Sequence, residues 1–409
     1  MKLATCRLCG APLTTTFIDL GLSPLANSFI SANKVDEGEE FFPLHVWVCG
    51  RCFLVQLEEF KRPEAIFSDY AYFSSYSTTW LKHAEAYVAA MTRRFALAPQ
   101  SKVVEVASND GYLLKYFVAR GLPVLGVEPA ANVATVAEAA DVPTDVAFFG
   151  KATAERLLGA GHAADLMTAN NVLAHVPDIV DFAAGFAVLL KPEGVATFEF
   201  PHLLRLIAES QFDTIYHEHF SYLSLGVAIR LMARVGLRVF DVERLSTHGG
   251  SLRVFVCREG ASHPKGPAVA EVLAEEEAAG LSSLAGYSRF AEGAVDIKCR
   301  ALEFLIKARG GGKTVCAHGA AAKGNTFLNY CGIGPEFVKL VSDNSPHKQG
   351  TFLPGSRIPV ITPNEMLAER PDYLLILPWN LKEEIAEEFA AIREWGGRFV
   401  TAVPELKVF

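Results

Sequence analysis

"KVVEVASNDGYLLKYF" (residues 102–117) decides how the middle of this 409-residue chain is built. The β-branched run at its start predicts a short strand, "ASNDG" a turn, and "YLLKYFVARG" a helix stopped by Gly121. "PVLGVEP" (123–129) predicts the next strand. "ADLMTAN" (164–170), "GVATFEFP" (194–201), "GLRVFDVERL" (236–245) and "GSLRVFVCRE" (250–259) supply four more, with helices between most of them. That alternation predicts a parallel sheet covered on both faces. Only "STHGG" separates the last two strands, too short for a parallel crossover, so they are expected to pair antiparallel.

The turn itself carries chemistry. It leads into a helix N-terminus with free N–H groups, and Gly111 allows close backbone approach. Glu128 ends the second strand, where an acid can hold both hydroxyls of a ribose. The loop is not GxGxxG. Asn109 and Asp110 stand where a pyrophosphate would need bare backbone and no negative charge, whereas Asp110 suits an ammonium group. Adenosine with an amino-acid tail describes S-adenosylmethionine. Glu105, Ala107, Asn109, Asp110, Gly111 and Glu128 are therefore candidate cofactor residues, joined by Asn170 and Asn171 at the end of the next core strand. Ligands of parallel sheets bind at such carboxyl ends. The alternative is a plain turn with an ordinary acidic strand end.

Upstream, residues 1–75 are irregular and rich in Phe and Pro, with Cys6–Cys9 and Cys49–Cys52 forming two CxxC pairs. Four thiolates suit tetrahedral Zn²⁺ and leave no open position, so a bound ion is expected to be structural. The 39-residue gap between the pairs requires a lobe of its own. Cys257, Cys299, Cys316 and Cys331 read as buried thiols. Downstream, residues 259–312 read as a solvent-facing helical connector ending in three glycines. Residues 313–409 restart the strand–turn–helix theme with "KTVCAHG" and "AAAKGNT", the latter read as a turn. There Lys323 and Gly324 favour an anion such as a diphosphate, and Asp343 and Asn344 end the following strand. Residues 76–258 lie between these parts as the central domain.

In "DTIYHEHFSYL" (213–223), Tyr216, His217, Glu218, His219 and Tyr222 crowd two imidazoles, a carboxylate and two phenols together. As a strand it would put His217 and His219 on one face, giving a weak metal reading. The other readings are a polar knot that pins a loop and a catalytic cluster. His248, in "STHGGS", lies in a glycine-rich loop that can contact a phosphate or simply close a hairpin. His45, His83 and His162 read as surface or packing residues.

Composition narrows the partners. A net charge of −8 argues against a broad nucleic-acid footprint. No apolar run reaches the ~20 residues that span a bilayer. The start, "MKLATCRLCG", has no hydrophobic signal segment, so a cytoplasmic protein is expected, as a monomer or small homo-oligomer.

Taken together, the doubled CxxC, "EVASNDGYLL", "NNVLAHVPD", "YHEHFSYLS", "HGGSLR" and "GAAAKGNT" resemble the deoxysugar C-methyltransferases over nearly the whole chain. The resemblance implies an α/β protein: a class I S-adenosylmethionine methyltransferase domain flanked by a small zinc-binding N-terminal lobe and a C-terminal Rossmann-like domain. The implied substrate is a dTDP- or GDP-linked 4-keto-6-deoxysugar, methylated at C-3 or at C-5. A zinc-ribbon RNA methyltransferase is the contrasting reading. Carried over by motif, Cys6, Cys9, Cys49 and Cys52 would hold zinc, and Tyr216, Glu218 and His219 would line the sugar site. His219 is the favoured base and His175 its rival. A tyrosine from the N-terminal lobe would be Tyr72 or Tyr76. Tyr222, His248, Lys323, Asn325, Asp343 and Asn344 are the remaining candidates for substrate contact.

Overall fold

A computed structural model describes residues 4–62 and 73–409, so Tyr72 lies outside the described residues. The strands are β1 (Thr15–Ser23), β2 (Ile30–Ser31), β3 (Phe42–Val48), β4 (Val55–Leu57), β5 (Val103–Val106), β6 (Val124–Val127), β7 (Thr144–Asp145), β8 (Ala164–Asn170), β9 (Leu190–Pro201), β10 (Ser221–Tyr222), β11 (Leu237–Leu245) and β12 (Ser251–Arg258). They continue with β13 (Val315–His318), β14 (Val341–Ser342), β15 (Thr351–Phe352), β16 (Val360–Ile361), β17 (Tyr373–Ile376), β18 (Arg398–Thr401) and β19 (Lys407–Val408).

The central sheet runs β11-β12-β9-β8-β5-β6-β7. β5 to β9 are parallel, and β12 pairs antiparallel with both β9 and β11. All four residues of β5 and of β6 are buried, as a sheet covered on both faces requires. One cover is the helix Thr78–Arg94, opened by Ser77, whose hydroxyl accepts the Trp80 N–H at 3.2 Å. Its buried residues Ala84, Tyr87, Val88 and Met91 recur at helical spacing and pack with Val103, Leu166 and Phe255. The chain winds outward through β6 and β7, then returns to β8 on the other side of β5. The carboxyl ends of β5 and β8 therefore flank a switch point where a ligand crevice forms.

The N-terminal sheet has the order β1-β3-β4-β10. Its last strand comes from the 213–223 stretch, with Ser221 opposite Gln56 and Tyr222 opposite Val55. The C-terminal sheet, β16-β14-β13-β17-β18-β19, is parallel except for β19. β2 and β15 form a small ladder that ties the N-terminal lobe to the C-terminal unit.

Three expectations are corrected. The helix after the first turn covers only Leu114–Val118, because left-handed residues at Ala107, Asn109 and Gly111 prolong the loop. "AAAKGNT" is not a turn: a helix, Ala322–Cys331, begins within it and places Lys323, Gly324 and Asn325 in its first turn, in keeping with the helix propensity of alanine. Cys299 is exposed, since it falls off the buried stripe Ala294, Ile297, Ala301 and Leu305 of the helix Phe290–Gly310.

Candidate active site

The four N-terminal cysteines converge. Their sulfurs all lie within 4.8 Å of one another, with Cys6–Cys52 at 3.5 Å and Cys9–Cys49 at 3.6 Å. A tetrahedron with ~2.3 Å Zn–S bonds has sulfur–sulfur edges just under ~4 Å. The donor set and spacing therefore fit zinc. Gln56 of β4 donates to Cys6 Sγ at 3.2 Å, and the Arg51 N–H points at Cys49 Sγ at 3.4 Å.

At the switch point, Glu128 is buried and accepts the N–H groups of Asn109 at 3.0 Å and Ala130 at 2.9 Å. Burial raises its pKa, against the pull of those two amides. Gly126 on β6 is required by the loop: a Cβ there would lie 2.4 Å from Ser108 Oγ. Ser74 and Ser75 close over the turn, donating their N–H groups to Asn109 Oδ1 at 2.8 Å and Asp110 Oδ2 at 3.0 Å. Glu105, 1% exposed, is pushed well above its ordinary value by burial, with Asp110 and Glu128 adding to the rise and Tyr112 opposing it. The acids Glu105, Asp110 and Glu128 around left-handed backbone fit a cationic amino-acid tail and a ribose, the two ends of S-adenosylmethionine. Asn170 ends β8, and Asn171 (φ +56°) donates its N–H to Glu199 O at 2.7 Å.

The 213–223 stretch is not a strand through its histidines; it turns, with the His219 N–H donating to Tyr216 O at 2.9 Å. His217 and His219 consequently part. His217 Nε2 meets Pro43 O at 3.2 Å, and its ring packs on Phe42 and Phe60 in the N-terminal lobe. His219 faces the other way, with its ring 4.0 Å from Tyr216, 4.7 Å from His175 and 6.1 Å from Tyr222. Its Nδ1 lies 2.7 Å from Thr214 O. A carbonyl can only accept, so Nδ1 carries the proton and Nε2 keeps its lone pair. Burial lowers the His219 pKa well below the usual value, helped by His175, His248 and Lys323. Burial likewise lowers His175 to about 4, opposed by a hydrogen bond to the Glu218 backbone. Both imidazoles are therefore neutral at pH 7. Glu218 is pushed up to about 7 by burial, while the Asn27 amide donates to its Oε1 at 2.6 Å and pulls it down.

The C-terminal unit closes this region. Thr326 donates to Ile215 O at 2.8 Å, and Trp379 Nε1 donates to Asp213 Oδ2 at 2.7 Å. Lys323 Nζ donates to Asn380 Oδ1 at 2.8 Å and lies 4.6 Å over the Trp379 ring. Asn325 is 1% exposed and donates to Ala26 O at 2.6 Å, beside Asn27. His248 (φ +54°), an exposed residue, approaches Asn171 Nδ2 at 3.2 Å. Asp343 accepts from the Ala320 and Ser345 N–H groups and from Lys348, while Asn344 is exposed and bonds Glu388. Tyr76 is exposed and packs near Phe73 and His347. Asp343, Asn344 and Tyr76 thus bond or pack elsewhere, whereas His175, Tyr216, His219 and Tyr222 stand together. A cavity of about 20 Å³ beside His219 and Thr214 holds roughly one water; a separate one of about 250 Å³ lies between Glu209, Gly249, Trp379 and Val403.

Sequence reasoning missed two groups. His83 is not merely a packing residue: its Nε2 meets Glu199 at 2.9 Å, and Glu199 also accepts from Arg253 at 2.8 Å and Thr247 at 2.9 Å. Asn27 and Asp213, which hold the histidine turn, were the other omission. Their partners are distant in the chain, and no local spacing announces them.

Acid stability provides one check. Burial lowers His318 to about 4, with Asp343 opposing and Lys348 assisting; its Nδ1 meets Ser342 Oγ at 2.9 Å. A depressed folded-state pKa gives stability that is complete above the unfolded value of ~6.5 and is lost as pH falls toward 4. His318→Gln should remove about 2 kcal/mol of the acid-induced loss between pH 7.5 and pH 5. Unfolding curves at the two pH values measure this; equal acid losses in both proteins would refute it.

The strand order, the acid at the end of β6 and the carboxyl-edge crevice define a class I S-adenosylmethionine methyltransferase fold with a four-cysteine N-terminal lobe and a C-terminal domain. Family profiles match in succession: "Putative zinc binding domain" over 6–67, "Methyltransferase domain" over 80–242, and "C-methyltransferase C-terminal domain" over 246–404. The chain is 38% identical over 403 residues to C-methyltransferase NovU of Streptomyces niveus, covering 98% of this chain and 96% of NovU. It belongs to the C-methyltransferase family. A ubiquinone biosynthesis O-methyltransferase of Bartonella bacilliformis is 30% identical over 104 residues, 25% of this chain and 42% of that one. Among solved structures, magnesium protoporphyrin IX methyltransferase of Synechocystis matches with 14% identity and a TM-score of 0.34, covering 44% of this chain and 79% of that one. Among the described residues no helix is long and apolar enough to cross a membrane.

Proposed function

We propose that the chain methylates a ring carbon, C-3, beside the ketone of a nucleotide-linked 4-keto-6-deoxysugar. The observation that carries this reading is the pair of neutral imidazoles, His219 and His175, 4.7 Å apart and flanked by Tyr216. A sugar carbon becomes nucleophilic only when a neighbouring ketone acidifies its hydrogen, so the site must supply a base and a donor to the enolate oxygen. S-adenosylmethionine, when bound, supplies the electrophilic methyl. His219 takes the C-3 proton at Nε2, the nitrogen left free by the Nδ1–Thr214 hydrogen bond. The resulting imidazolium is stabilised by Thr214 O. Tyr216 donates toward the enolate oxygen, and Glu218 orients a sugar hydroxyl. Glu128 holds the cofactor ribose and Asp110 its ammonium group; in the structure these carboxylates are held by backbone N–H groups of Asn109, Ala130 and Ser75. Lys323, whose Nζ donates to Asn380 beside the Trp379 ring, and the first turn of its helix receive the diphosphate. Zinc, held by Cys6, Cys9, Cys49 and Cys52, is structural on this reading. Residues 1–75, 76–258, 259–312 and 313–409 act as lobe, methyltransferase domain, connector and nucleotide-sugar domain.

Incubation with labelled cofactor and 4-ketosugar nucleotides tests the reading. A product heavier by one CH₂, with the new methyl bonded to carbon by NMR, is expected. RNA as the sole labelled species would reject it, and a methyl at C-5 would correct the position.

A further inference from the structure

Arg7 lies inside the first CxxC, between Cys6 and Cys9, yet its side chain leaves the cysteine cluster. Nη1 donates to Pro177 O at 2.8 Å, Nη2 donates to Leu57 O, and the guanidinium lies 5.5 Å over the Phe220 ring. The Arg7 N–H donates to Gln56 Oε1 at 2.9 Å, and the other end of the same Gln56 amide reaches Cys6 Sγ at 3.2 Å. Pro177 follows His175 by two residues, and Phe220 follows His219 directly. Leu57 ends β4, the strand that pairs with β10. The Phe220 N–H also donates to Ala174 O at 2.7 Å. The backbone segments carrying His175 and His219 therefore meet each other and meet Arg7.

An arginine guanidinium is charged at neutral pH. A partly buried cation is costly unless its donors are well placed, and both Nη atoms of Arg7 meet carbonyls. A four-thiolate knuckle needs no such cation to close. A planar fork that reaches two carbonyls while stacking on a ring is a task a lysine cannot perform.

We propose that Arg7 is a positioning residue that couples the cysteine cluster to the alignment of His175 and His219. The kinetic half of this rests on His219 acting as the base; the structural half does not. The test uses full-length, zinc-loaded Arg7→Ala and Arg7→Lys. Metal content and S-adenosylmethionine affinity should match wild type. Turnover should fall roughly ten- to hundredfold, the scale of a small misplacement of a reacting group. Added guanidinium should restore part of the activity of Arg7→Ala, and the imidazole NMR signals of His175 and His219 should shift while that of His318 stays. Unshifted signals in a folded variant would overturn the proposal. So would loss of zinc and activity together without guanidinium rescue, which would make Arg7 a lobe-stability residue; if Arg7→Ala does not fold, Arg7→Lys is read the same way. Shifted signals with unchanged turnover would uphold the coupling and refute His219 as base.

Discussion

His219→Asn is expected to lower turnover by roughly 10²- to 10⁴-fold, the usual worth of a positioned base, with both ligands still binding. Asparagine keeps an amide that can donate to Thr214 O, so the turn from Tyr216 to Tyr222 retains its anchor. The variant loses the basic nitrogen. Some turnover should persist, because holding cofactor and sugar together is itself a large contribution to rate. His175→Asn should cost less than His219→Asn. His175 packs against His219 and its neutrality preserves the basicity of its neighbour, since a charged imidazole 4.7 Å away would depress it further. Steady-state rates and calorimetric affinities for the two variants separate these roles. If His175→Asn loses more turnover, the base is His175; wild-type turnover in His219→Asn would remove it from the chemistry.

Stripping zinc is expected to have the second large effect. The lobe is small, and structural zinc in small modules contributes apparent binding free energies of about 10–16 kcal/mol. Without the ion, four thiols within 4.8 Å have nothing to gather them. The disturbance should not stop at the lobe, because β4 pairs with β10 and Asn27 holds Glu218. Chelation, or Cys49→Ser, should therefore open residues 4–62 to hydrogen exchange and cut turnover at least tenfold, the scale of a misplaced reacting group. Exchange in β5, β6 and β8 should stay slower than in the lobe: one face shares a core with Cys6, Cys49 and Cys52, but the other is held by the helix Thr78–Arg94 in a separate core. Unchanged exchange over 4–62 in metal-free protein would show that the lobe stands without metal.

How much of this was legible in the sequence follows from how local each signal is. The strand–turn–helix at 103–118 and the doubled CxxC could be read because turn chemistry and ligand spacing are encoded within a few residues. The antiparallel pairing of β11 and β12 followed from the length of "STHGG" alone. The helix start at Ala322 is hidden because Gly324 and Asn325 look like turn formers; the preceding alanines and the burial of Gly324 through Leu328 outweigh them. At the site, composition marked 213–223 as chemical, but the opposite destinations of His217 and His219 depend on a turn closed by Tyr216 O and on a lobe whose cysteines are far away in the chain. Asn27, Asp213 and the Glu199–Arg253–His83 group acquire meaning only through long-range contacts, so no spacing rule could have found them.

Solvent exchange at the sugar ring decides the central claim most directly. Wild-type enzyme in deuterium oxide, with a nucleotide-linked 4-keto-6-deoxysugar and S-adenosylhomocysteine in place of the methyl donor, should exchange the C-3 hydrogen. His219→Asn should not exchange it above the uncatalysed rate. Methylation of the same sugar by wild type without any enzyme-dependent exchange at C-3, or equal exchange by both proteins, would contradict an enolate formed by His219.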